Sequence, residues 1–412
     1  MKFTKEQELL RETAKKYMEI ATLPIQREKM ELWKKFNSNT PSRPMVTIDQ
    51  LPWHELNYDG SLDLNCSDPI LKPIEYGMKQ EMFKWNNFPV DMVVQPFLVV
   101  PFSVTNSGYG VKKIDTTLAT DTKNNIVSHK YENQLCEEED LEKIKDMVIT
   151  VDRDKSAEIL ETANYILGDI MPIYQRGGTN VRLTIWDALA EVMGVEDVYF
   201  DLIDRPEFIH AIMEKMTHSA LAGIRQINEL GLANDLSNLC HCSGIYTNEL
   251  LPDFAAGKGT QTKYTWSCSM AQLFSSTSPA VTAEFEIPYM CKLASEFGMF
   301  YYGCCERLDD RLDIVEKLPN LKKVSCSPWS DREKFAEKLS KHLIMSNKPT
   351  PAFLAGRDMD YDVIRGDLER TYDAASANNI NVEYLLKDVS TIKNDVSRLK
   401  EWNKIAMEVV NR

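Results

Sequence analysis

The sequence has no unbroken apolar run approaching the roughly 18 residues of a membrane-spanning helix, so nothing in it reads as a membrane protein. Its opening, Met1-Lys2-Phe3-Thr4-Lys5-Glu6, lacks the apolar core of a secretory signal. It holds no Cys-x-x-Cys pair, and its nine cysteines are an odd number. Together these absences point to free thiols in a reduced, cytoplasmic protein rather than to a disulfide framework. No Gly-x-Gly-x-x-Gly or P-loop pattern follows a candidate strand, which disfavours a nucleotide-binding fold. Positive charge is also short: 48 Lys and Arg stand against 62 Asp and Glu, a net of −14. Nucleic acid is therefore a poor partner, because phosphate binding needs clustered Lys and Arg. No internal repeat or low-complexity tract appears.

What is present suits a large globular chain. It has 412 residues, 43% of them hydrophobic, enough for a sizeable core in one large domain with additions or in two domains. Residues 4–38 read as helix, opened by a capping box at Thr4 and Gln7 and ended by Pro41 and Pro44. The stretch 69–87 is helical in pattern. Residues 105–134 are polar, with Gly108 and Gly110, and too long for a plain connector; they read as an inserted hairpin or lid. From about 155 onward helical stretches (155–168, 186–194, 206–230, 279–297, 307–318, 331–344, 361–378 and 395–411) alternate with short apolar strands. The strands are expected at 238–241, 263–266, 299–303, 323–326 and 382–386, with others at 45–48, 93–98 and 181–185, and 351–355 as a ninth candidate. Single strands alternating with helices mean parallel βα units. The fold class is thus α/β, a (β/α)8 TIM barrel over 43–412 with an N-terminal helical extension over 1–42 and the lid at 105–135.

In such a barrel the site forms at the carboxyl ends of the strands. That rule selects His241 and Cys242, Trp266 to Met270, Cys304 to Glu306, Ser325 to Trp329, and Lys387 with Asp388. Met299-Phe300-Tyr301-Tyr302-Gly303-Cys304-Cys305-Glu306 is an apolar strand running into a paired-thiol, acidic turn. Two thiols and a carboxylate there either ligate a metal or supply a thiolate; the plainer alternative is two buried cysteines packing as small hydrophobes. Cys240-His241-Cys242 is dense in soft ligands, and zinc takes Cys and His. Lys387 and Asp388 end an apolar strand, where they suit positioning a polar substrate and moving a proton. His129, in Ser128-His129-Lys130-Tyr131, is a candidate substrate contact from the lid. Tyr264, Trp266 and Trp329 are candidate pocket walls for a flat or aromatic ligand.

Several elements together resemble the uroporphyrinogen decarboxylase-like superfamily, in the bacterial branch related to corrinoid-dependent methyltransferases. They are Ser278-Pro279, Glu284-Phe285, Pro288-Tyr289, Tyr302-Gly303-Cys304-Cys305-Glu306, Pro319-Asn320-Leu321, Ser325-Cys326-Ser327-Pro328-Trp329 and Leu386-Lys387-Asp388-Val389-Ser390-Thr391, with Arg43-Pro44-Met45-Val46 and Pro52-Trp53 upstream. The resemblance runs from about residue 43 to the C-terminus and implies the same barrel. The Arg-Gln-Ala-Gly-Arg segment that grips propionates in true uroporphyrinogen decarboxylases is replaced by Ser-Arg-Pro-Met around Arg43, which points away from porphyrinogens. The superfamily's methyltransferases hold zinc with His-x-Cys at a strand end and a distant Cys; here Tyr302 takes the His position and Cys304 the Cys position. The resemblance implies methyl transfer from a small methoxylated or methylated substrate to a corrinoid protein. Zinc would lie on Cys304, Cys305 and His241, Glu306, Lys387 and Asp388 would act in catalysis, and Tyr302 would join the substrate contacts. Homodimers are common in this barrel family. The alternative is a metal-independent decarboxylase or lyase, with Lys387, Arg307 and His129 on carboxylates and Asp388 handling a proton.

Overall fold

The structure is a computed structural model that describes residues 3–118, 128–177, 182–250 and 260–412. Two helices precede the sheet. α1 (Lys5–Ala21) opens on the expected capping box, in which the Thr4 hydroxyl accepts from the Gln7 N–H and the Gln7 side chain accepts from the Thr4 N–H. The single helix expected over 4–38 is instead two. Pro24 begins α2 (Pro24–Asn37), because proline lacks the N–H that an uninterrupted helix needs but fits a first turn.

The strands in chain order are β1 (Met45–Ile48), β2 (Leu98–Val100), β3 (Ser103–Asn106), β4 (Asp115–Leu118), β5 (Ser128–Tyr131), β6 (Ile149–Asp152), β7 (Ile173–Gln175), β8 (Leu239–Cys240), β9 (Ser243–Gly244), β10 (Trp266–Ser269), β11 (Met299–Tyr302), β12 (Leu321–Cys326), β13 (Ile344–Asn347) and β14 (Val382–Leu386). Six of them form one curled parallel sheet in the order β1-β14-β13-β12-β11-β10. Parallel neighbours need crossovers, and helices Arg332–Lys338, Tyr361–Ala377 and Ser397–Val410 supply three of them or pack beside them.

This is consistent with a TIM-like fold, but among the described residues the sheet does not close into an eight-stranded ring. Beyond β10 it continues only as the bridge Arg182↔Cys268, while β2 and β7 pair with each other and β8 with β9. The expected strand at 181–185 reduces to that bridge, since a helix begins at Ile185; Val181 lies outside the described residues. The stretch 93–98, interrupted by Pro96, forms a strand only from Leu98. The strand expected at 263–266 is shifted to 266–269, behind a turn at Thr262–Tyr264. The ninth candidate, 351–355, is a short helix started by Pro351. The strand that was not expected is β13, which starts at Ile344, the last residue of the helix expected over 331–344. That helix stops at Lys338 because Leu339 turns extended, although the apolar spacing of Phe335, Leu339 and Leu343 runs on. Within the expected lid, β4 and β5 pair antiparallel, and residues 119–127 lie outside the described residues. No described helix is long and apolar enough to cross a membrane.

Side chains alternate between the two faces of each strand. Tyr302, Val324 and Tyr384 pack with the helices in the main core, whereas Tyr301 and Leu385 face inward beside Cys268, Met270 and Cys304. The inner face also carries a buried ion pair in the amino-terminal half of the sheet, Lys323 Nζ to Glu383 at 2.9 Å, with the Ser243 hydroxyl 2.6 Å from the same ammonium. The rings of Trp33, Phe36 and Trp266 lie 5.1, 5.3 and 5.6 Å from that ammonium. Since Trp33 and Phe36 belong to α2, and Asn37 donates to the Gly244 carbonyl at 3.0 Å, α2 seals this end. The carboxyl end is left for chemistry.

Candidate active site: a thiol pair at the carboxyl end of the sheet

Past β11 the chain turns at Gly303, whose φ is +98°. A Cβ there would meet Leu308 Cδ1 at 2.6 Å and Ser325 Cβ at 2.9 Å, so glycine is required. The turn sets Cys304 and Cys305 side by side, their Sγ atoms 3.6 Å apart. The Asp388 carboxylate joins them, and the ligand atoms of the three residues all lie within 4.8 Å of one another. Lys387 Nζ donates to Cys304 Sγ at 3.3 Å and pairs with Asp388 at 3.0 Å. Glu306 is buried beneath the turn, accepting from the Cys304 N–H at 2.8 Å and from the Ala271 N–H at 3.2 Å. Lys348, just past β13, donates to Tyr301 Oη at 3.0 Å, to the Gly303 carbonyl at 3.5 Å and to Ser325 Oγ. The Ser325 hydroxyl in turn donates to the Cys304 carbonyl at 2.7 Å.

These contacts polarise the pair. The hydrogen bond with Cys305, joined by the His241 ring and the Lys348 ammonium, overcomes burial and holds the Cys304 thiol well below its ordinary range. The Cys305 thiol is pushed up by that neighbour and by burial. Burial and Lys348 pull Lys387 down, but the Cys304 thiolate and Asp388 outweigh them, and its net shift is upward. Burial raises Glu306 despite the N–H groups it accepts from. The Lys387 ammonium at the sulfur and the Lys348 ammonium beneath the turn thus favour the thiolate on Cys304 rather than on Cys305. The helix expected from 307 begins only at Leu312, so these side chains, not a helix dipole, make the thiolate.

A hairpin closes the other flank. His241 and Cys242 are the two-residue turn between β8 and β9, with φ of +48° and +68°. Positive φ at both central positions normally selects Asn-Gly. His and Cys hold it here at a strain of about 1–3 kcal/mol each. The His241 ring packs on Tyr301 with centroids 5.2 Å apart, and neither ring nitrogen has a hydrogen-bond partner. It nevertheless lies close enough to the Cys304 and Cys268 thiols to favour their charged forms. Behind this hairpin is a cavity of about 400 Å³, lined by Arg182, His241, Cys242, Trp266 and Cys268 among others. Gln50, another of its lining residues, also has positive φ, as does Asp388 across the thiols.

Comparison with protein-family models and with curated proteins gives no match. Among solved structures, the chain is similar to a methyltransferase from Methanosarcina mazei, with a TM-score of 0.50 and 12% identity over 92% of this chain and 98% of that one. The likeness is one of fold.

Of the residues singled out in the sequence, the structure brings Cys304, Cys305, Glu306, Lys387 and Asp388 together. His241 adjoins them through Cys304 but stands outside the three-donor group, so the expected ligand set changes to Cys304, Cys305 and Asp388. Trp266 lines the cavity. Four expected substrate contacts are not at the thiols. His129 is on β5, its ring paired with Asp115 at 2.6 Å and stacked on Tyr131. Tyr264 precedes β10, at the wrong end of the strand, because that strand starts later than its sequence suggests. Tyr302 points to the helix side and donates to Glu286 at 3.2 Å; strand alternation gives the inner position to Tyr301. Trp329 is 76% exposed. Arg307, expected to bind carboxylate in the lyase reading, is paired with Asp309 at 2.8 Å. The residues missed were Lys348 and Arg182, whereas Cys268 lies in the stretch Trp266 to Met270 that the strand-end rule selected. Lys348 carries the same signal as Lys387, a lysine ending an apolar strand, but its strand was not among those expected.

Proposed function

We propose that the chain is a methyltransferase that moves a methyl group from a small methoxylated or methylated substrate to the Co(I) of a corrinoid held by a separate protein. The observation that carries this reading is the cluster of Cys304, Cys305 and Asp388 at the carboxyl end of the sheet, where this architecture builds its sites. The sequence resemblance to the uroporphyrinogen decarboxylase-like superfamily, and a fold shared with a methyltransferase, support the same reading. In it the curled sheet is the larger part of a (β/α)8 barrel.

The donor set fits zinc. Two cysteine sulfurs and a carboxylate would make a three-ligand site with a fourth position for substrate, Cys305 giving up its proton to the solvent on binding. On a tetrahedral ion with Zn–S near 2.3 Å, two sulfurs stand about 3.8 Å apart; here they are 3.6 Å apart. Zinc bound there supplies Lewis acidity for a departing oxygen or sulfur anion. The chain's own residues do the rest. Cys304 is already held as a thiolate by its neighbours. Glu306 fixes the backbone that presents it. Lys387 holds a proton and a positive charge beside the sulfur, placed to neutralise charge that develops on the leaving atom. Asp388, half-exposed at the rim, is the donor nearest to an entering ligand.

Elemental analysis of the purified protein and of Cys304→Ser/Cys305→Ser, with methyl transfer to a reduced corrinoid protein, tests this. The expected result is about one zinc per chain, lost together with transfer in the double variant. Undiminished transfer in that variant would sink the assignment.

A further inference from the structure

We infer that the chain holds a second small-molecule site, a cavity between α1, helix Leu71–Asn87 and β2 that binds a small apolar amine as its ammonium ion, with Glu81 as the counter-charge. This cavity shares no lining residue with the one beside the thiols, and it stands whether or not the thiols serve methyl transfer.

The cavity has a volume of about 480 Å³, that of a small-molecule site. Its walls are mostly apolar, with Ile70, Ile74, Met78, Phe97, Leu98 and Ile159 among them. Gly77 makes room for it. Glycine in the interior of a helix costs stability relative to alanine, because it has more backbone freedom to lose on folding. Gly77 lies mid-helix, yet the fold does not call for glycine there. Its φ is not positive, and a Cβ added to it would meet no neighbouring atom within 4 Å. What the missing side chain leaves open is the cavity itself. Protein interiors are close-packed, so space that the chain keeps clear at a cost to its own helix is space for a ligand.

Glu81 sets the ligand's charge. It stands one turn beyond Gly77 on the same helix face and lines the same cavity. One of its oxygens accepts from the Tyr17 hydroxyl at 2.7 Å; the other has no hydrogen-bond partner among the described residues. Neither nearby lysine is paired with it. Lys84 pairs with Asp49 at 3.5 Å, and Lys155, the one Lys or Arg of the lining, pairs with Glu158 at 2.9 Å. Burial and Asp49 raise the Glu81 carboxyl by more than Tyr17 and Lys84 lower it. A carboxylate in apolar surroundings lacks a counter-charge, and an ammonium ion at its open oxygen supplies one together with a charge-assisted hydrogen bond. An uncharged ligand gains only an ordinary hydrogen bond there, and an anion is repelled. Gln95 and Asn238, the other polar lining residues, carry no charge.

Calorimetric titration of the full chain with 2-phenylethylamine and with uncharged 2-phenylethanol tests the inference. The unaltered chain should bind the amine at least about tenfold more tightly than the alcohol, the scale of a hydrogen bond between charged groups. Glu81→Gln keeps an acceptor for Tyr17 but removes the charge; it should weaken the amine about 10- to 100-fold and leave the alcohol within about threefold. Gly77→Leu fills the cavity and should weaken both ligands about tenfold or more without lowering the melting temperature, since leucine is the better helix former. It also places the binding in this cavity rather than beside the thiols, and it serves alone if Glu81→Gln does not fold. Equal affinities for amine and alcohol in the unaltered chain, an unchanged amine affinity in either variant, or no binding of the amine at millimolar concentration would overturn the inference.

Discussion

The same sheet buries two lysines that do different work. Lys323, in the amino-terminal half, has its counter-charge in Glu383 at 2.9 Å, both side chains wholly buried and ringed by Trp33, Phe36 and Trp266. Burial pulls Lys323 below its ordinary range even with that carboxylate beside it. Lys387, at the carboxyl end, faces the Cys304 sulfur, and its carboxylate partner Asp388 is half-exposed. Its net shift runs the other way. One lysine is closed off by a helix and a fixed carboxylate. The other is held against a nucleophilic sulfur that a metal or a substrate can reach. A buried charge whose partner is equally buried acts as structure; one whose partner is reactive and reachable acts as chemistry.

That contrast can be broken experimentally. The largest expected effect is at the closed end. Lys323→Met leaves Glu383 buried without its cation and should cost about 3–5 kcal/mol of unfolding free energy, whereas Lys323→Met with Glu383→Leu should recover most of it. Urea denaturation measures both, and a small loss in the single variant would contradict the structural role. At the open end, Lys387→Met should lower methyl transfer by about 10²–10³-fold, the scale of removing one charge-stabilising donor. Its stability cost should be smaller than that of Lys323→Met, because its carboxylate partner Asp388 is half-exposed rather than buried. A large stability loss without loss of transfer would make the two lysines alike.

Two smaller effects sharpen the picture. Glu286 is buried with one oxygen accepting from Tyr302 and the other without a partner, and burial raises its carboxyl to about 8. The folded chain therefore keeps a proton that the unfolded chain releases near pH 4.3. Stability from this group is full below that pH and declines as pH rises towards 8. Glu286→Gln should reduce the decline and gain about 1–3 kcal/mol at pH 8, seen as a shallower fall of melting temperature between pH 5 and 8 than in the unaltered chain. Lastly, His241→Asn with Cys242→Gly gives the hairpin the residues its positive φ angles favour. That pair should gain about 1–2 kcal/mol in urea denaturation and impair the site. A loss of stability would mean that the His241 and Cys242 contacts outweigh the backbone strain.

Much of the layout was legible in local chemistry. The capping box at Thr4, the apolar runs of β1, β11 and β14, and lysine at the end of an apolar strand are short-range signals, and the structure places each where it was read. The thiol turn was legible because Gly303-Cys304-Cys305-Glu306 follows a strand directly. The errors came where two periods fit one stretch. The apolar spacing over 331–344 suits a helix, but the returning chain must pair in parallel with β12 and β14, and only that pairing makes Ile344–Asn347 a strand. A shift of three residues at β10 moved Tyr264 away from the mouth. The parity of β11 gave the inner position to Tyr301 rather than to Tyr302.

The sequence by itself determined the free thiols, the acidic and unclustered charge, the alternation of strands and helices, and a Cys-Cys-Glu turn at a strand end, since each is a matter of composition or of neighbours along the chain. The tertiary structure alone decided which groups meet. It brought Asp388 and Lys387 across more than eighty residues to Cys304, set Lys348 beneath the turn, and strained His241 and Cys242 into a two-residue hairpin. The reason is physical. Whether a charge is paired, and whether a thiol is a thiolate, depends on groups a few ångströms away in space, and their sequence separation carries no trace of that distance.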